Sequence, residues 1–128
     1  MNIAAIQLEV SDISNKAERF KIVDEKLREI KAGSTKPDLV MLPETWGCGF
    51  FDFDNYLKES EPLNGDTFQL LSSWAKDLEA YIHGGSIIEV VGNNLFNTSI
   101  LINKNGEIEA TYRKMHLWGY QSKEIEML

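Results

Sequence analysis

The chain has 128 residues, with 20 Asp and Glu against 13 Lys and Arg, a formal net charge of −7. That length fits one domain with a respectable core, and the acid excess repels phosphate backbones, so no nucleic acid is expected as a partner. No apolar run approaches the roughly 20 residues needed to span a membrane, so no membrane association is expected either.

The N-terminal stretch "MNIAAIQLEV" lacks the basic flank of a signal peptide and reads as a strand over residues 2–9. The single cysteine cannot form an internal disulfide, and a reducing cytoplasm is the simplest expected location. "SDIS" at 11–14 offers several helix N-caps. From Ser14 to Lys31 the apolar residues Ala17, Phe20, Val23, Leu27 and Ile30 recur at helical spacing, and Gly33 closes the helix. "DLVML" at 38–42 is a short apolar run between turn residues, as in a buried parallel strand.

Residues 43–65 read as a long irregular segment rich in aromatics and acids. Asp66 is placed to cap a second helix, with Gln69 completing a box-like arrangement and Phe68, Leu71, Ala75 and Leu78 forming the buried stripe. "YIHGGSIIEV" at 81–90 is a strand whose internal glycines suggest a bulge or a close backbone approach. "LFNTSILIN" at 95–103 is the next strand, and Asn105-Gly106 signals a hairpin into a strand over 107–114. The last fourteen residues show no period. Helices separate the first three strands and hairpins follow, which predicts an α/β layer with a mixed sheet.

Glu44 directly follows "DLVML". Ligands of α/β sheets gather beyond the carboxyl ends of strands, and a carboxylate there can act as a general base; a loop carboxylate capping a turn or facing water is the other reading. Lys114, at the end of the last strand, could stabilise an oxyanion or simply be solvated. His116 reads better as a packed or solvent-facing residue than as a base. Cys48 lies among Glu44, Asp52, Asp54, Glu59 and Glu61, and carboxylates disfavour a thiolate, so a packing role fits it better than a nucleophilic one. "DFD" at 52–54 lacks the histidine or further acid of a metal site, and "HGGS" lacks the Lys-Ser/Thr of a phosphate loop.

The order of these motifs is more specific than any one of them. "LPE" after a buried strand, "GGS" in a later strand, "NT" in the next and then "YRKMHL" resembles the nitrilase superfamily of carbon–nitrogen hydrolases, over essentially the whole chain. The resemblance implies half of an α-β-β-α sandwich, with a mixed sheet carrying two helices on one face. It implies amidase-type hydrolysis of a small amide or nitrile by a cysteine, a glutamate base, a lysine and a supporting second glutamate, with no cofactor. By position, Glu44 matches the base, Lys114 the lysine and Glu124 the second glutamate, with Glu126 the alternative. Asn97 and Tyr112 match framework positions around the site, and "ETWGCGFFDFD" is expected to wall the pocket.

The family's cysteine lies downstream of the second glutamate, and Cys48 matches no catalytic position. The resemblance therefore implies that residues 1–128 are the N-terminal portion of one hydrolase domain, without the nucleophile and inactive alone. Half a sandwich exposes a sheet face, so self-association or association with the C-terminal half is expected. A non-catalytic remnant serving as a binding or interaction module is the alternative, and an unrelated α/β protein with acids in a loop is a weaker one.

Overall fold

The computed structural model describes residues 1–9, 15–49, 52–119 and 122–128. Strand β1 (Ile3–Ala5) is shorter than the predicted 2–9. The candidate caps Ser11, Asp12 and Ser14 lie outside the described residues, and helix α1 (Lys16–Ala32) is capped by Asn15. The Asn15 side chain accepts from the Glu18 N–H at 2.9 Å while the Glu18 carboxylate accepts from the Asn15 N–H at 3.2 Å, a complete capping box. Val23 and Leu27 are fully buried, but Ala17 is exposed, so the apolar stripe starts one turn later than its spacing suggests. Arg19 is buried instead, with Nε donating to the Gly47 carbonyl at 3.3 Å.

β2 (Leu39–Met41) is the predicted parallel strand. The segment read as irregular holds a 3-10 turn (Phe53–Asn55) and the four-residue helix α2 (Tyr56–Glu59), both too short to leave a period in the sequence. In α3 (Asp66–Leu78), Gly65 is the N-cap and Asp66 the first helical residue, so the predicted Asp66 cap is not formed. A remote acid does that work. The buried Glu61 carboxylate accepts from the Thr67 N–H at 2.8 Å and the Thr67 hydroxyl at 2.5 Å, and pairs with Lys16 at 3.1 Å. Gln69 donates to the Asn64 carbonyl at 3.2 Å rather than closing a box.

Three longer strands follow: β3 (Tyr81–Val91), β4 (Asn94–Ile102) and β5 (Ile108–Arg113). The tail read as aperiodic ends in helix α4 (Lys123–Met127), capped by Ser122. The sheet order is β1-β2-β3-β4-β5, with β1, β2 and β3 parallel and β4 and β5 antiparallel to their neighbours. This follows from the connections: crossover helices allow parallel pairing, and tight turns force antiparallel pairing. Ala4, Val40 and Ile82 share one row, and Ile82 pairs with Ile102. Val40, Ile82, Ile100 and Ile102 pack with Val23 and Leu27 of α1 and Leu71, Trp74, Ala75 and Leu78 of α3 in one core.

The alternate residues point the other way. On that face Ile3 is 51% exposed, Met41 37% and Tyr112 57%, and no residue of β5 is buried. Helices α1 and α3 thus cover one face of the sheet. On the other, Ile88 and Leu95 are packed with Cys48, Tyr56 of α2 and Met127 of α4, while the part bearing Ile3, Met41 and Tyr112 stays exposed, as in half of a sandwich.

Candidate active site

Parallel strand β2 ends beside His83, near the start of β3, and the C-terminal end of β2 and the following residues 83–86 of β3 build the site. Leu42 N–H donates to the His83 carbonyl at 3.0 Å, carrying the pairing one residue beyond β2. Pro43 then turns the chain and Glu44 emerges. Thr45 follows with φ +46, a left-handed conformation that a β-branched residue rarely adopts. Its N–H donates to Ser86 Oγ at 3.1 Å, and residues 45–49 close a tight turn in which the Cys48 and Gly49 amides donate to the Thr45 carbonyl. The turn fixes where the Glu44 carboxylate points.

Lys114 reaches the same place from the far edge of the sheet. Its N–H donates to the Asn97 carbonyl at 2.8 Å, so the pairing of β5 with β4 extends one residue past Arg113. Lys114 Nζ donates to Glu44 Oε1 at 3.1 Å and to Glu124 Oε1 at 2.9 Å. The Asn97 amide also donates to Glu44 Oε1, at 2.7 Å. Both of these bonds converge on one oxygen, and among the described residues no hydrogen bond uses Glu44 Oε2. Glu124 is buried, and its other oxygen accepts from the Trp118 N–H. One ammonium thus sits between two carboxylates brought together from residues 44, 114 and 124.

Burial pulls the Lys114 ammonium down, but its hydrogen bonds to Glu124 and Glu44 outweigh this and hold its pKa above the ordinary lysine value. The lysine is a fixed cation. Glu44 has 40% of its side chain exposed, against 5% for Glu124, so the two carboxylates have different freedom to meet a ligand. A cleft of about 210 Å³ opens in front of the pair, lined by Glu44, Lys114, His83, Asn97, Ser99 and Tyr112 among others. A smaller space of about 20 Å³ lies behind it, between Glu44, Lys114, Glu124, Phe53, Tyr56 and Trp118. An accessible carboxylate beside a clamped cation can move a proton and stabilise a developing oxyanion within one cleft.

The profile of the family described as carbon–nitrogen hydrolase matches residues 2–127. The chain belongs to the carbon–nitrogen hydrolase family. It is 30% identical over 129 residues to a 2-oxoglutaramate amidase of Paenarthrobacter nicotinovorans, a match covering 95% of this chain and 44% of that protein. It is 34% identical over 118 residues to the omega-amidase NIT2 of Homo sapiens, covering 91% of this chain and 40% of that one. Among solved structures, Nit3 of Saccharomyces cerevisiae, a member of branch 10 of the nitrilase superfamily, superposes with a TM-score of 0.82 at 26% identity, over 98% of this chain and 46% of that one. The chain thus spans less than half the length of these relatives.

Within this carbon–nitrogen hydrolase fold the other candidates fall outside the cleft. Glu126 is exposed, and the carboxylate at Lys114 is that of Glu124. His116 is exposed. Asp52 accepts from the Asn55 amide and Asp54 pairs with Lys123 at 3.0 Å, so each "DFD" acid has a protein partner. Trp46 is not a pocket wall: it is fully buried in the core, and its Nε1–H donates to the Gly84 carbonyl at 3.0 Å. Phe50 and Phe51 lie outside the described residues.

Cys48 is a free, buried thiol packed with Tyr56, Ile88 and Leu95, and it lines neither space at Lys114. Burial pushes its pKa up to about 12. The carboxylates near it in sequence are a minor cause: Arg19 and Lys16 act on the thiol in the opposite direction, and of the acids only Asp52 raises it. The thiol should react with a disulfide reagent near pH 8 only as fast as the chain unfolds, and at once in denaturant. Rapid labelling of the native chain would show that Cys48 is accessible as thiolate.

Two polar residues of the cleft escaped the sequence reading. His83 and Ser99 sit on the open sheet face, with Ser99 Oγ 3.1 Å from His83 Nε2. Their only sequence signal is the period-two alternation that puts His83 two residues after Tyr81.

Proposed function

We propose that the chain carries the base and the cation of an amidase site for small amides, with Glu44, Lys114 and Glu124 as its residues. The observation that carries this reading is the Lys114 ammonium held at 3.1 Å from Glu44 and 2.9 Å from Glu124. The family and the amidase names of the relatives point to the same bond type.

In the proposed reaction a cysteine thiol gives its proton to Glu44 and the thiolate attacks the amide carbon. Lys114 donates hydrogen bonds to the oxyanion that forms. The tetrahedral adduct collapses, the C–N bond breaks, and ammonia leaves with the proton from Glu44. Glu44 then takes a proton from water, hydroxide attacks the thioester, and the thiol departs with that proton. Glu124 stays ionised and keeps Lys114 charged and aimed. A nitrile would instead give a thioimidate on attack by the thiolate, and one further water must add to its carbon before ammonia leaves and the same thioester forms.

The thiol in this account is not Cys48, which is buried away from both carboxylates. It belongs to the part of the domain that the relatives have beyond the matched segment. The same part covers the open sheet face bearing Ile3, Met41 and Tyr112. Two measurements test this. Residues 1–128 alone should release no ammonia from small amides; turnover abolished by Cys48→Ala would overturn the reading. Light scattering of the isolated chain should show self-association through the bare face, whereas a monodisperse monomer would contradict the role given to that face.

A further inference from the structure

The proposed reaction does not use His83 and Ser99, although both face the Glu44 cleft. Their hydrogen bonds are directional enough to assign protons. The Gly85 N–H donates to His83 Nδ1 at 3.3 Å, so Nδ1 carries no hydrogen. Nε2 then bears it and donates to Ser99 Oγ at 3.1 Å. The Ser99 hydroxyl in turn donates to the Gly85 carbonyl at 2.8 Å. The three bonds close a ring that engages both the N–H and the C=O of Gly85.

Gly85 is the centre of the bulge in β3, where the register with β4 shifts between His83 and Ser86, and its φ is +67. The other side of this bulge is the bed of the Glu44 loop. The His83 carbonyl accepts from Leu42, the Gly84 carbonyl from Trp46 Nε1, and Ser86 Oγ from the Thr45 N–H. Gly85 itself lies so close to the Pro43 carbonyl that an added Cβ would stand 1.8 Å from its oxygen. Each of residues 83–86 therefore touches the 42–46 segment. Thr45, strained at φ +46, is held by this bed, since strain persists only where the surroundings over-determine it.

We propose that His83 and Ser99 are positioning residues that lock the β3 bulge in the shape which sets the Glu44 carboxylate against Lys114. This rests on Glu44 and Lys114 being the reactive pair. The lock works only with neutral, Nε2-protonated His83. A hydrogen on Nδ1 would face the Gly85 N–H, donor against donor, and open the ring. Asparagine at position 83 would keep part of the lock, because its Oδ1 can accept from the N–H two residues on.

The test is NMR on the 128-residue chain and needs no turnover, so its failure is distinct from failure of the amidase reading. Long-range nitrogen–proton correlations at neutral pH should give the Nε2–H tautomer for His83. The Lys114 side-chain titration should move down in His83→Leu and in Ser99→Ala as far as it does in Glu44→Gln. His83→Asn should keep at least part of the wild-type midpoint, and Lys21, far from the cleft, should not move in any variant. Should His83→Leu fail to fold, Ser99→Ala and the tautomer still decide. An Nδ1–H or doubly protonated His83, an unmoved Lys114 in a folded leucine or alanine variant, or an asparagine variant identical to leucine would overturn the proposal.

Discussion

Gly85→Ala should destabilise the chain by more than about 4 kcal/mol, enough to leave it largely unfolded in dilute buffer. Two causes combine. The left-handed backbone costs a non-glycine residue about 1–2 kcal/mol, and the new Cβ would lie 1.8 Å from the Pro43 oxygen and 2.7 Å from its carbonyl carbon. Backbone on both sides leaves no flexible side chain to give way. Gly92→Ala separates the two effects, because Gly92 also has positive φ, +60, but nothing within 4 Å of the added Cβ. Urea unfolding of that variant should show only the backbone cost. Equal losses in the two variants would mean that β3 does not lie against Pro43.

Lys114→Met should be the next most damaging change, at about 3 kcal/mol, the low end for breaking a buried ion pair because the lysine is itself partly exposed. It leaves the buried Glu124 carboxylate facing Glu44 without the cation between them. The pH dependence has a definite sign. The folded-state pKa of Lys114 is raised, so its stabilisation is fully present below the unfolded value, 10.5, and is lost as pH rises through the folded value. The stability gap between wild type and Lys114→Met should therefore hold through neutral pH and close only in strong alkali. A gap already absent at pH 7 would show that Lys114 does not bind the two glutamates in solution.

The sheet was legible because its signals are local. "DLVML" announces a buried strand by composition, and Asn105-Gly106 announces the last hairpin, where Gly106 has φ +76. The convergence of the candidate site residues was legible only through motif order. Singly, Glu44 and Lys114 are unremarkable; 70 residues part them, and chain folding alone brings them to 3.1 Å. Glu124 and Glu126 look alike in sequence, and which of them is buried against Lys114 depends on the course of α4, too short to show a period. Other features leave no pattern: the capping of α3 by Glu61 six residues ahead of Thr67, and, across longer separations, the burial of Trp46 under Gly84 and the contact of His83 with Ser99. The left-handed Thr45 was invisible for another reason, since residue type predicts against it. Cys48 is a packing residue, as its acidic surroundings in sequence suggest, but its high pKa comes mainly from burial rather than from those acids.

The most direct test of the central claim asks which residues a working enzyme needs. The chain would be fused to the remainder of the Paenarthrobacter nicotinovorans 2-oxoglutaramate amidase, and ammonia release from 2-oxoglutaramate followed. With Glu44 as base and the thiol supplied from outside residues 1–128, activity should survive Cys48→Ala and fall by about 100-fold or more in Glu44→Gln. Activity lost in Cys48→Ala but kept in Glu44→Gln would contradict the assignment.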